Sequence, residues 1–128
     1  MGGLRNAKSL HTANPNQIAT VITLCQQPVF RRAASIRYLH YPIRDARPVR
    51  IAWLNAILTS IEEGMARGSV LVHCGAGLSR APMVVAAFLD RMGLFSFDAA
   101  LRYIEQLRPA IAPSAVLAES ISRELGNL

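Results

Sequence analysis

One stretch, SVLVHCGAGLSRAPMVVAAFLD at residues 69–90, restricts the fold of this chain more than any other. Its first five residues form a short, nearly unbroken apolar run, the pattern of a strand covered on both faces and so of a parallel sheet. Gly75 and Gly77 then punctuate the run. From Arg80 the apolar residues suit a helix running to Gly93, and Pro82 falls in its first turn, where a missing N–H costs little. A buried strand that passes through a glycine turn straight into a helix belongs to a sheet with helices packed on its faces.

The remaining segments agree. ATVITLC (19–25) is rich in β-branched residues and bounded by Gln-Gln-Pro, which predicts a strand, and IRYLHY (36–41) predicts a second one stopped by Pro42. Ile51, Leu54, Ile57, Leu58, Ile61 and Met65 share one face of a helix over about residues 49–66, ended by Gly68. Ser96 is placed to cap a helix whose inward face is Phe97, Ala100, Leu101, Ile104 and Leu107. Pro109 and Pro113 break that helix, and a last one over about 114–125 turns Leu117, Ile121 and Leu125 inward. Residues 1–17 are polar and end in the turn signal Asn-Pro-Asn, so they read as a loosely structured lead-in. The expected fold is α/β, with a central, mostly parallel sheet flanked by helices and a single domain over residues 1–128.

Composition removes several classes of function. Hydrophobic residues at 52% and charged ones at 17% argue for a globular interior and against wholesale disorder. No apolar run reaches the roughly 18 residues that span a bilayer. The start, MGGLRNAKSLH, lacks the apolar core of a signal peptide, so a soluble cytoplasmic protein is expected. Two cysteines are too few for a disulfide scaffold. The net charge of +6 favours anionic partners, but the basic residues are scattered, and no specific nucleic-acid binding is predicted. The His, Asp and Cys residues show no ligand spacing, so neither a metal nor another cofactor is expected. Oligomeric state leaves no signal.

Residues 70–82 also carry the chemistry. Ligands of open α/β sheets bind at the carboxyl ends of strands. There the amides of Gly75, Ala76, Gly77, Leu78, Ser79 and Arg80 are placed to turn inward as an anion nest, reinforced by the helix N-terminus. Arg80 adds a planar fork for two phosphate oxygens. Such surroundings stabilise Cys74 as a thiolate, which can attack phosphorus held by the same donors. Those donors also stabilise the charge that grows on the equatorial oxygens in the transition state.

His73, Cys74, five residues and Arg80 resemble the His-Cys-x5-Arg signature of the protein tyrosine phosphatase superfamily. The wording VLVHC-x-AG-x-SR most resembles its dual-specificity branch, in a small atypical form. The resemblance implies phosphoester hydrolysis through a cysteinyl-phosphate intermediate, with Cys74 as nucleophile, residues 75–80 as the phosphate loop and His73 orienting Cys74. It also implies a general acid on a loop after a strand, and Asp45 in YLHYPIRD stands there, 29 positions before Cys74. LRPAIAPS (107–114) is similar to the family's Arg-Pro-x-Ile-x-Pro-Asn element beside the phosphate loop, with Ser114 in place of asparagine.

Two residues depart from, or add to, that pattern. The residue after the arginine is usually Ser or Thr, whose hydroxyl helps the cysteine leave phosphorus; here it is Ala81. Some plant glucan phosphatases resemble this chain in carrying Arg-Ala-Pro. Cys25 ends the first predicted strand, and in the phosphoinositide-phosphatase branch a cysteine at a similar place pairs reversibly with the nucleophile. A packing role competes with that redox role, because free cysteine is commonly buried.

Among functions, a protein tyrosine or dual-specificity phosphatase acting on phosphoproteins leads. Gly75, Ala76, Gly77 and Leu78 are neutral where phosphoinositide enzymes of the superfamily carry lysines, which argues against an inositol-phosphate specialist. Glucan phosphate and RNA 5′-phosphate stay open. Ala81 leans towards a pseudophosphatase that binds phosphate without turnover, whereas intact Cys74, Arg80 and Asp45 lean towards catalysis. A rhodanese-like sulfur-transfer loop would also cradle an anion, but would not account for the His-Cys pair or for Asp45. Trp53, Tyr38 and Tyr41 are candidates for the mouth of the site. Arg31, Arg32, Arg44, Arg47 and Arg50 flank the strands and the Asp45 loop, as steering charges or as ordinary solvated side chains.

Overall fold

β1 (Ile18–Thr23) occupies the centre of the sheet because its run of Ile, Val and Thr can be covered on both sides. β2 (Arg37–His40) and β3 (Ser69–His73) pair with it in parallel, in the order β2-β1-β3. The architecture was obtained as a computed structural model and describes residues 1–126. Thr23 stands opposite both His40 and His73, so the three strands end together at one edge.

The pleat sorts the side chains onto two faces. Ile22, Leu24, Val72 and Cys74 enter the larger core. That core is completed by α2 (Ile51–Arg67), α3 (Arg80–Arg91), α4 (Phe97–Leu107) and α5 (Ala115–Leu125). Leu54, Ile57, Leu58, Met83, Leu117 and Ile121 are essentially inaccessible there, and full burial of such a side chain contributes about 1.5–3 kcal/mol. Val21 and Leu71 face the other way, onto a smaller cluster with Val29, Ile36 and Ala7. His73 and Cys74 therefore leave the end of β3 towards opposite faces.

The predicted elements form, with ends that differ by a few residues. Ser96 and Ser114 cap α4 and α5, their Oγ atoms accepting from the Ala99 and Leu117 amides at 3.2 and 3.4 Å. The lead-in differs from the expectation. Instead of lying loose, it forms α1 (Leu4–Ser9), and Gly2 runs beside the end of β3. The Gly2 amide donates to the Val72 carbonyl at 3.0 Å, and the Cys74 amide donates to the Gly2 carbonyl at 3.1 Å. The physical reason is size: a Cβ on Gly3 would come within 2.7 Å of the Gly75 carbonyl oxygen. Only glycine lets this segment approach so closely.

Candidate active site

Cys74 is the first residue past β3, and its sulfur is nearly inaccessible from outside the loop that follows. The Ala81 amide, in the first turn of α3, donates to Cys74 Sγ at 3.4 Å. Among the described residues, the amides of Gly75, Ala76, Gly77, Leu78 and Ser79 donate to no protein group. Their carbonyls explain the direction. The Gly75 carbonyl accepts from the Leu4 amide at 2.8 Å and the Leu78 carbonyl from the Ala112 amide at 2.7 Å, both from neighbouring segments. Carbonyls tied to the flanks leave the successive N–H groups free to form a nest. Gly77 makes the bend, with φ of 76°, and a Cβ there would meet the Gly2 carbonyl carbon at 2.7 Å.

Arg80 is held by one arm. Its Nη1 donates to the Ile43 carbonyl at 3.2 Å, while its buried Nε has no protein partner. A buried N–H of a guanidinium without an acceptor is costly, unless an anion supplies one. Free amides, a helix N-terminus and this guanidinium thus belong to the one turn that begins at Cys74, a set of donors suited to a tetrahedral oxyanion.

Asp45 reaches the loop from the other side. Its Oδ1 accepts from Ser79 Oγ at 2.8 Å and from the Ala46 amide at 3.0 Å. The turn that aims it there places Ala46 at φ 58°, a left-handed conformation that costs a non-glycine residue about 1–2 kcal/mol. Ser79 Oγ in turn accepts from the Ser114 amide at 3.2 Å. One hydroxyl inside the phosphate loop therefore joins the Asp45 turn to the LRPAIAPS segment, and Ser114 takes part through its backbone.

His73 is fully buried, with Nδ1 3.2 Å from the Cys74 carbonyl and Nε2 2.7 Å from Thr23 Oγ1. A carbonyl can only accept, which assigns the proton to Nδ1 and leaves Nε2 to accept from the threonine hydroxyl. Burial pushes its pKa below the usual 6.5; the hydrogen bond to the Cys74 carbonyl opposes this and nearby His40 adds to it. His73 is thus hydrogen-bonded to the Cys74 peptide, and its burial disfavours the charged imidazolium.

Cys25 and Cys74 are both free and buried. Cys25 Sγ donates to the Gln27 carbonyl at 3.3 Å. The Leu24 amide donates to the His73 carbonyl at 2.9 Å, so β1 and β3 stay side by side up to the two cysteines. Of the aromatic residues, Tyr38 accepts from the Ala33 amide through its hydroxyl and lies under Arg32, away from the Asp45 segment, whereas Tyr41, whose hydroxyl pairs with Ser60, packs on Trp53 beside it.

This geometry has relatives. The family model described as dual specificity phosphatase, catalytic domain, matches residues 3–123. The chain belongs to the dual specificity phosphatase family. Human dual specificity protein phosphatase 16 is 34% identical over 92 residues, which cover 70% of this chain and 14% of that protein. Mouse dual specificity protein phosphatase 18 is 29% identical over 102 residues, covering 78% of this chain and 54% of that protein. The chain thus spans a fraction of the length of these curated relatives. The crystal structure of human DUSP28 superposes with a TM-score of 0.87 at 20% identity, over 99% of this chain and 90% of that one, which shows the shared fold.

In this member of the family, three features had no reading in sequence. Thr23 as the partner of His73 comes from the register of β1 against β3. The Ser79 hydroxyl, which joins Asp45 to the Ser114 amide, carries no signal in the sequence beside the amide read for that residue. Gly2 and Gly3 were hidden in a polar lead-in, where a pair of glycines was the one available signal of close approach.

Proposed function

We propose that the chain hydrolyses phosphoester groups of phosphoproteins through a covalent cysteinyl-phosphate intermediate, as one cytoplasmic catalytic domain. One observation supports the reading: the loop that follows Cys74 holds five successive amides with no protein acceptor and ends at a buried guanidinium N–H without a partner.

The phosphate oxygens bind the loop amides and the Arg80 fork. The Cys74 thiolate attacks phosphorus, the S–P bond forms and the P–O bond to the leaving group breaks. Asp45 gives its proton to the departing oxygen, as a group within reach of the loop can. In the second step the Asp45 carboxylate takes a proton from water, whose oxygen attacks phosphorus. The S–P bond breaks, releasing inorganic phosphate and the thiolate. The Ala81 amide is the hydrogen-bond donor at the sulfur in both steps. No metal enters this scheme, and among the described residues no cluster of His, Cys, Asp and Glu is arranged to hold one. No helix among them is long and apolar enough to cross a membrane.

Phosphoprotein substrates are favoured because the relatives are named as protein phosphatases. Turnover of p-nitrophenyl phosphate tests the reading, with loss of all activity expected in Cys74→Ser. Activity that survives Cys74→Ser, or phosphate binding without any turnover by the unaltered protein, would overturn it.

A further inference from the structure

Beyond the Asp45 turn, the segment leading into α2 borders a cleft of about 450 Å³. Pro42, Pro48 and Trp53 supply apolar walls, and Arg44, Arg47 and Arg50 stand around it. The indole is fixed in place. Its Nε1 donates to the Pro42 carbonyl at 3.1 Å, and its ring meets Tyr41 edge-on, with centroids 5.5 Å apart at 78°. At 39% exposure, part of this rigid ring remains open.

The charge around the cleft is one-sided. All three arginines are exposed, and among the described residues none forms an ion pair. Between Tyr41 and Ile61 the only carboxylate is Asp45, whose Oδ1 is already engaged by Ser79 and the Ala46 amide. Three guanidinium groups therefore border an aromatic wall without an ion pair among the described residues to satisfy them. The cleft also adjoins the Arg80 side chain, because Ile43, one of its lining residues, accepts from Arg80 Nη1 through its carbonyl.

The geometry points to this cleft as a subsite for acidic residues that flank the phosphorylated residue of a peptide substrate. The arginines pair with the carboxylates, and the apolar stems lie against Trp53. The assignment rests on the phosphatase reading and names the substrate class for it: phosphopeptides with Glu or Asp beside the phosphorylated position.

Trp53 is the single tryptophan of the chain, so its emission reports occupancy of the cleft without any turnover. The probes are two peptides carrying a non-hydrolysable phosphonate analogue of phosphotyrosine, one flanked by three Glu and the other by three Gln. The Glu peptide is expected to shift the Trp53 emission and to bind about tenfold more tightly than the Gln peptide, the sum of three modest ion pairs. Arg44→Ala, Arg47→Ala and Arg50→Ala combined should erase the difference while leaving p-nitrophenyl phosphate turnover unchanged. Equal affinity for the two peptides, a Glu preference that survives the triple variant, or an unmoved emission spectrum would each overturn the subsite. If p-nitrophenyl phosphate is not turned over and the Glu preference persists, the phosphatase reading fails while the acidic-peptide cleft stands.

Discussion

Replacing Ala81 by serine should make the proposed enzyme faster, which is an unusual expectation for a fully buried position. The Ala81 side chain has no exposure, and its own amide donates to Cys74 Sγ at a long 3.4 Å. A hydroxyl on its Cβ would add a second donor next to the sulfur. That sulfur is neutral in charge while bound to phosphorus and becomes a thiolate as the intermediate breaks down, so the added bond forms mainly in the second step. Hydrogen bonds to a charged group contribute about 1.5–3 kcal/mol, and each 1.36 kcal/mol of barrier is tenfold in rate, so hydrolysis of the intermediate should accelerate about ten- to a hundredfold. Stopped-flow release of p-nitrophenolate reads both steps. The unaltered protein should show a burst of one equivalent followed by slow turnover, and Ala81→Ser should raise the slow phase and shrink the burst. Volume is controlled by the isosteric pair Ala81→Thr and Ala81→Val, of which only Thr carries the donor. A Val variant as fast as Thr, or an Ala81→Ser steady rate within about twofold of the original, would refute the argument that the missing hydroxyl limits breakdown.

Asp45→Asn should cut kcat on phosphotyrosine peptides about 10²–10⁴-fold and cost less on p-nitrophenyl phosphate, whose leaving group needs less help from an acid; an equal loss on both would argue against proton donation. Gly3→Ala forces a Cβ to within 2.7 Å of the Gly75 carbonyl, so chemical denaturation should show a loss of about 1–3 kcal/mol together with a lower kcat; wild-type stability and activity would remove the brace from the account. His73 has its folded pKa below its unfolded value, so the unfolded state binds the extra proton and stability is complete above about pH 6.5, falling as pH drops from there towards the folded pKa. Urea titrations of the wild type should show that fall, and His73→Gln should flatten it; a wild-type curve that is already flat would contradict a buried neutral imidazole. Peroxide should convert Cys74 to a sulfenic acid that Cys25 attacks, expelling water and forming a disulfide visible by peptide mapping; over-oxidised Cys74 beside free Cys25 would exclude the pairing.

What could be read in advance follows the distance along the chain between the groups that cooperate. The strand, glycine turn and helix of residues 69–90 are contiguous, so periodicity made the α/β class legible, and the offsets of His73, Cys74 and Arg80 pointed to the candidate anion site. Ser79 reaches partners 34 and 35 residues away, and His73 reaches Thr23 50 residues away, and no local pattern encodes such pairs. The lead-in departs from its expected looseness for a related reason: polar composition reports solvent on one side of a segment and is silent about its backbone. The nest depends most on backbone. Its amides are left without protein acceptors while the Gly75 and Leu78 carbonyls are tied to the Leu4 and Ala112 amides, and almost any residue type can supply an amide. Side-chain identity enters where an added Cβ would come within 2.7 Å of the facing backbone, at Gly3 against Gly75 and at Gly77 against Gly2. A glycine pair that reads as slack in isolation is therefore what lets the N-terminal segment brace the loop after Cys74. Its loss should damage the site from a segment that carries none of the chemistry.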